Sequence, residues 1–260
     1  MTKRSLIFAG PSLTSGDRER YSSFIFSPPA ERGDVLRVLY RYRKDPLRQI
    51  GLIDGYFDDR PSVLHKELLQ AMSLGVQVYG AGSMGALRAA ELSPYGMTGV
   101  GEVFRGYQEG RLTSDADVAV CHGPEDLGFP VLTLPQVEVV ETVRLLENRR
   151  KLDTLVADHL IETSRQIFYK NRTWAHLVDM AGIDDEELSD LLHLFQAERV
   201  PVKRRDAIAL LERMSCENEH CDISGQSFAQ TPPLTPAFQR VNDTVIAREL
   251  ANEERLASLS

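Results

Sequence analysis

The sequence has few cysteines and lacks any long apolar run. Three cysteines in 260 residues cannot form a disulfide framework, so a reducing compartment, the cytoplasm, is expected. No apolar stretch approaches the roughly 18 residues that a membrane-spanning helix requires. The apolar residues 6–9 are too few for a signal peptide and are followed by Gly10 and Pro11, as at the end of a strand. Neither a disulfide-built secreted domain nor a membrane protein is expected.

Negative charges outnumber positive ones in the chain. The formal net charge is −8, which argues against a broad nucleic-acid-binding face and against binding to an anionic membrane. The basic clusters at residues 149–151 and 203–205 each adjoin a helical pattern, and we interpret them as solvated helix ends. Hydrophobic residues make up 42% and charged residues 26% of the chain, which is the balance of a folded protein.

The first half of the sequence alternates short apolar runs with helical patterns. Apolar runs typical of buried strands occur at residues 6–9, 24–26, 50–53, 76–79 and 118–121. Helical spacing separates several of these runs, as in the segment that begins at Pro61 and ends near Leu74. Strands that alternate with helices predict an α/β fold, with a mainly parallel sheet that helices cover on both faces.

Helical patterns replace the apolar runs from about Leu134 onward. Acidic residues fill positions 184–187, in the first turn of one predicted helix, where the helix dipole favours them. We therefore predict an α/β core over residues 1–130 and a helical C-terminal region over residues 134–214. A loose segment and a terminal helix are predicted over residues 215–260.

The carboxyl ends of the predicted strands collect the residues that could carry chemistry. Ser12 follows the first strand, Asp54 the third and Ser83 the fourth. Binding sites in open parallel sheets lie at this edge. The functional site is therefore expected here.

The segment Gly80-x-Gly82-x-x-Gly85 has three interpretations. Its glycine spacing between a strand and a helix is typical of dinucleotide binding, although the strand is not the first of its sheet. Ser83, flanked by small residues, also has the layout of a nucleophile elbow, in which the backbone N–H groups of Met84 and Gly85 would face a developing oxyanion. The third interpretation is that Ser83 caps its helix.

A serine nucleophile needs a base, and two candidates precede Ser83. Lys66 lies in the first turns of a predicted helix that begins at the sheet edge where the Ser83 strand ends. A lysine side chain, with an ordinary pKa of ~10.4, must be buried to act as a base near pH 7; otherwise it is a solvated surface residue. A triad of Ser83, His65 and Asp54 is the weaker alternative, because adjacent helix residues face different directions.

Three possible metal ligands lie close together near the C-terminus: Cys216, His220 and Cys221. No fourth ligand occurs at the spacing of a zinc site. We therefore expect neither a metal nor another cofactor.

Several motifs, taken together and in order, resemble those of the TfuA family. They include Phe8-Ala9-Gly10-Pro11-Ser12, Ile50-Gly51-Leu52-Ile53-Asp54-Gly55-Tyr56-Phe57, Pro61-Ser62-Val63-Leu64-His65-Lys66-Glu67, Gly80-Ala81-Gly82-Ser83-Met84-Gly85 and Asp117-Val118-Ala119-Val120. The resemblance covers roughly residues 5–125 and is weak beyond about residue 180.

This resemblance implies a role in peptide backbone thioamidation. A YcaO enzyme activates a peptide-bond oxygen with ATP, and its TfuA partner draws the replacing sulfide from the C-terminal thiocarboxylate of a ubiquitin-like sulfur carrier. The reaction is hydrolase-like and uses a Ser-Lys pair, matched here by Ser83 and Lys66, with Ser12 as an alternative nucleophile. Arg88 is expected either to bind the carrier's tail or to form a salt bridge with Glu91. The alternative function is a non-catalytic adaptor that docks a YcaO enzyme and its substrate peptide.

Overall fold

The fold is built on a five-stranded sheet in which all strands run parallel. The computed structural model describes residues 4–56, 58, 60–183, 185–220, 233 and 235–257. The strands are β1 (Ser5–Phe8), β2 (Ile25–Ser27), β3 (Gln49–Leu52), β4 (Gln77–Ala81) and β5 (Thr98–Val100), in the order β2-β1-β3-β4-β5. This is a doubly wound order. The predicted α/β fold is therefore confirmed.

Helices follow most strands and fill the second half of the chain. They are α1 (Ser15–Arg20), α2 (Asp34–Arg41), α3 (His65–Ser73), α4 (Met84–Leu92), α5 (Glu102–Gln108), α6 (Gln136–Asn148), α7 (Thr154–Gln166), α8 (Trp174–Met180), α9 (Asp185–Ala197), α10 (Val202–His220) and α11 (Pro236–Ala257). The predicted helical C-terminal region is confirmed. Most of the predicted loose segment, residues 221–232 and 234, lies outside the described residues.

The central strands are buried on both faces, so their residues form continuous apolar runs rather than an alternating pattern. Ile7 of β1 and Ile50 of β3 are fully buried. The predicted strand at residues 118–121 is wrong: these residues follow a 3-10 turn (Asp115–Asp117), and the nearest pairing among the described residues is an isolated bridge of His122 to Val131. Burial produced the apolar run, since Val118 is fully buried in irregular structure.

The two faces of the sheet have separate apolar cores. On one face, α2, α3 and α4 cover β1, β3 and β4. On the other face Leu13 and Phe24, which flank α1, join α10, whose residues Ala207, Leu210, Leu211 and Met214 pack on the sheet. This face of the sheet is thus covered mainly by α10, from the C-terminal half of the chain, and not by a helix that connects two neighbouring strands. Because α10 starts at the carboxyl edge of the sheet, its first turn reaches the expected site.

The helices between residues 134 and 197 form a third core. Trp174 of α8 stacks on Phe195 of α9 with ring centroids 4.4 Å apart and planes 14° from parallel. Val137 of α6 joins this region to the sheet domain by packing with Val103 and Val202. The helical region is therefore in direct contact with the α/β core.

Glu67, in the first turn of α3, is a buried carboxylate that organises the segment before α2. Its Oε1 accepts hydrogen bonds from the N–H groups of Gly33 and Leu64, both at 3.0 Å, and its Oε2 lies 2.9 Å from Gly33 N. Burial raises the pKa of Glu67 to about 7, although the backbone donors act in the opposite direction. The native state therefore holds a proton that the unfolded chain releases at a lower pH.

We predict that this carboxyl makes the protein less stable as pH rises from about 4.5 to about 7. In that window the folded state binds more protons than the unfolded state, so the free energy of unfolding falls with pH and levels off above it. The shift corresponds to on the order of 3 kcal/mol. Urea unfolding at pH 5 and pH 8 should show this decrease in the wild type and a smaller one in Glu67→Gln. The exposed control Glu19→Gln should show the same decrease as the wild type. An equal decrease in the free energy of unfolding for all three proteins would contradict the prediction.

Candidate active site

The site lies at the topological switch point between β1 and β3, where the strand order reverses, which is the position of ligand sites in doubly wound sheets. Asp54, directly beyond β3, is buried, and its Oδ2 accepts hydrogen bonds from Gly10 N at 2.8 Å and Ser12 N at 3.0 Å. Its Oδ1 accepts the Ser12 hydroxyl at 2.7 Å. Both carboxylate oxygens thus hold the loop that follows β1. Ser12 is engaged in this structural contact, which disfavours it as the nucleophile.

Ser83 follows a tight turn at the end of β4. The Ser83 N–H donates to Ala81 O at 2.7 Å across Gly82, which has a φ of 70°. A Cβ on Gly82 would lie 2.8 Å from the backbone oxygen of Lys203. Glycine is therefore required both for the left-handed turn and for the close approach of α10.

The Ser83 side chain is buried and lines a cavity. Its hydroxyl neither caps α4 nor forms any other hydrogen bond within the part of the chain that the structure describes. The interpretation of Ser83 as a side-chain helix cap is therefore not supported. An unpartnered hydroxyl that faces a cavity at the start of a helix is suited to nucleophilic attack.

The cavity has a volume of about 780 Å³ and runs along the carboxyl edge of the sheet. Aromatic, proline and charged residues share its walls with Ser83. The lining includes Asp54, Val118, His122, Phe129 and Lys203. At the other end the cavity reaches Arg37 and Arg41 of α2. Ser83 and Lys203 thus share the cavity with cationic side chains of α2.

Lys203, in the first turn of α10, is a buried lysine that lines this cavity. Only 4% of its surface is exposed, and Nζ donates to Val118 O at 2.8 Å. Burial lowers the pKa of Lys203, while attraction to Asp54 and Glu138 acts against this. A lysine whose proton is easier to remove can act as a general base.

Sequence reasoning missed Lys203 because residues 203–205 were interpreted as a solvated helix end. The structure corrects this interpretation: Lys203 is buried, and Arg204 donates two hydrogen bonds to the buried Asp17 at 2.6 and 2.8 Å. One feature of the sequence does indicate that residues 203–205 are held by specific contacts. Three cations at the start of a helix oppose the helix dipole, so other interactions must hold them there.

The structure does not bring Lys66 to Ser83. Lys66 Nζ donates to Pro233 O at 2.9 Å and to the Thr235 hydroxyl at 3.1 Å, and it lies 5.9 Å from the ring centre of Phe238. The described residues that line the Ser83 cavity do not include Lys66. Its predicted position is therefore wrong, because it faces the segment leading into α11 and holds that segment against α3.

His65 and Arg88 also point away from the Ser83 cavity. Both contact Glu91 Oε2, His65 through Nε2 and Arg88 through Nη1, each at 2.7 Å. Arg88 Nε donates in addition to Val63 O at 3.3 Å. The His65–Asp54 triad is therefore not formed. Arg88 makes the salt bridge that was its alternative role, and it lines a separate depression.

Only one of the two expected oxyanion donors remains available. Gly85 N–H donates to Ile53 O at 3.1 Å, whereas Met84 N–H has no hydrogen-bond partner among the described residues. The glycines of this segment serve close packing: a Cβ on Gly80 would lie 2.1 Å from Gly85 O, and one on Gly85 would lie 1.7 Å from Leu52 O. This packing accounts for the glycine spacing without a dinucleotide.

The three possible metal ligands fall at the limit of the described residues. Cys216 is exposed on α10, His220 is the last residue of that helix, and Cys221 lies outside the described residues. No group of three His, Cys, Asp or Glu residues in the described ranges could hold a metal ion. Within the same ranges no helix is long and apolar enough to cross a membrane.

The fold and the cavity define a doubly wound α/β protein with a candidate serine–lysine centre. Residues 54–173 match the family described as TfuA-like protein. This match supports the resemblance to the TfuA family that the sequence predicts. The matched range contains Asp54, Ser83 and His122 but not Lys203. A search of curated proteins finds no match.

We predict that Gly82→Ala destabilises the protein more than Gly75→Ala does. Both glycines have positive φ values, 70° and 81°, so both alanines carry a similar backbone cost of about 1–2 kcal/mol. A Cβ at Gly75 would meet nothing within 4 Å, whereas one at Gly82 would press on Lys203 O. The extra cost should be about 1–3 kcal/mol. Urea unfolding measures both values, and equal losses of stability would show that α10 does not approach this turn.

Proposed function

We propose that this TfuA-like protein is a hydrolase that partners a YcaO enzyme in peptide backbone thioamidation. Its substrate is the C-terminal thiocarboxylate of a ubiquitin-like sulfur carrier, from which it releases sulfide. The observation that carries the proposal is that Ser83, with an unpartnered hydroxyl, and the buried Lys203 line one cavity. The match of residues 54–173 to the TfuA-like family supports the sulfur-transfer role, and a cavity of about 780 Å³ has room for a polypeptide tail.

In the first half-reaction Ser83 Oγ attacks the thiocarboxylate carbon. Neutral Lys203 accepts the hydroxyl proton, and the Met84 N–H at the start of α4 is the donor available to the developing oxyanion. The carbon–sulfur bond then breaks, and Lys203 returns the proton to the departing sulfur. The products are hydrosulfide and an ester between the carrier and Ser83.

The second half-reaction is hydrolysis of this ester. Water attacks the acyl carbon, the bond to Ser83 Oγ breaks, and the hydroxyl regains a proton. The carrier leaves with a carboxylate in place of its thiocarboxylate, so one oxygen from water has replaced the sulfur. The hydrosulfide passes to the YcaO enzyme, which holds the substrate peptide.

We predict that Ser83→Ala and Lys203→Met each reduce sulfide release from a thiocarboxylated carrier by about 10³-fold or more. Because the two residues act as a unit, the double variant should lose little beyond either single variant. Lys66→Met is the matched control and should retain the wild-type rate. Sulfide is measured colorimetrically, and thermal unfolding establishes that each variant is folded.

A reconstituted thioamidation assay distinguishes a hydrolase function of this protein from an adaptor function. With free sulfide, Ser83→Ala should support the YcaO reaction as well as the wild type does. With the thiocarboxylated carrier as the sulfur source, it should fail. If Ser83→Ala supports thioamidation equally well with both sources, the protein is an adaptor and not a hydrolase.

A further inference from the structure

His122 is a second basic group in the Ser83 cavity. Its ring Nδ1 lies 2.8 Å from the carbonyl oxygen of Gly123, and the residue is half-buried in the cavity wall. A carbonyl oxygen only accepts hydrogen bonds, so Nδ1 must carry the hydrogen. In the neutral ring Nε2 then bears the lone pair. Nε2 has no hydrogen-bond partner in the part of the chain that the structure describes.

The local backbone holds this ring in one orientation. His122 lies in a short antiparallel pairing, in which Gly123 N donates to Pro130 O at 2.8 Å and Leu132 N donates to Cys121 O at 2.9 Å. The edge-to-face contact with Phe129, at a centroid distance of 5.6 Å, fixes the ring further.

Phe129 itself occupies an unusual backbone conformation. Its φ is 57°, a left-handed value that a bulky residue rarely adopts. Such conformations persist where the surroundings enforce them, often at functional sites. The strain is consistent with a ring that is held in place to position His122.

We propose that His122 is a catalytic residue of the hydrolytic half-reaction. Its Nε2 removes a proton from the water that attacks the Ser83 ester. The bond between water oxygen and acyl carbon forms, the bond to Ser83 Oγ breaks, and the imidazolium returns its proton to that oxygen. This inference rests on the proposed function and assigns its second step.

The positions of Lys203 and His122 favour separate roles for the two bases. Lys203 is only 4% exposed, and its Nζ is held by Val118 O on the inner wall. His122 is more exposed, so water that enters the open cavity can reach its Nε2. Lys203 is therefore suited to activate the buried Ser83, and His122 to activate the incoming water.

The variant His122→Asn tests the assignment. The asparagine amide can replace Nδ1–H as a donor to Gly123 O, but it supplies no counterpart of Nε2. With a thiocarboxylated ubiquitin-like carrier, the variant should release one equivalent of sulfide per enzyme at the wild-type rate. Steady-state turnover should then fall about 10²-fold or more. Intact-mass spectrometry should show the carrier esterified to Ser83.

Two controls separate a catalytic role from a structural one. Hydroxylamine attacks the ester without a general base, so it should restore turnover of His122→Asn, and His65→Asn should behave as the wild type does. A variant that loses the initial sulfide release together with turnover, or that keeps full turnover, would overturn the assignment. If the wild type itself releases no sulfide, the proposed function fails and this inference fails with it.

Discussion

The close approach of α10 to the turn at Gly82 is the contact on which the site depends. The carbonyl of Lys203 occupies the space where any other residue at position 82 would place a Cβ. This contact brings a lysine from the C-terminal half of the chain into the cavity that Ser83 lines. The same approach removes the lysine from water, which lowers its pKa. One packing contact thus positions the proposed base and favours its neutral form, which is the form that can accept a proton.

The sheet supplies the rigid frame for this contact. Asp54 connects the ends of β1 and β3 by accepting the N–H groups of Gly10 and Ser12 and the Ser12 hydroxyl. Gly85 donates to Ile53, and this hydrogen bond fixes the start of α4 beside β3. These bonds lie at the topological switch point, where the strand order reverses. They leave the Ser83 hydroxyl and the Met84 N–H without a hydrogen-bond partner among the described residues.

Local patterns were enough to predict the parallel sheet and the position of Ser83 at its carboxyl edge. Strand runs, the glycines around Ser83 and the start of α4 are encoded by neighbours in sequence. Lys203 could not be found in this way, because its burial depends on α10 packing against a distant turn. Lys66 was mispredicted for the same reason, since its partners Pro233 and Thr235 belong to the segment that begins α11. Residues 118–121 show a related failure: burial makes a run apolar whether or not it forms a strand.

Covalent labelling by a fluorophosphonate tests the pairing of Ser83 with Lys203 most directly, because such probes react with serines that a neighbouring base activates. The account predicts that peptide mass spectrometry finds the label on Ser83. The labelling rate should rise as Lys203 loses its proton, at a pH below the ordinary lysine pKa of ~10.4. Lys203→Met should abolish labelling in a folded protein, while Lys66→Met should label as the wild type does. Label on another serine, or an unchanged rate in Lys203→Met, would contradict the account.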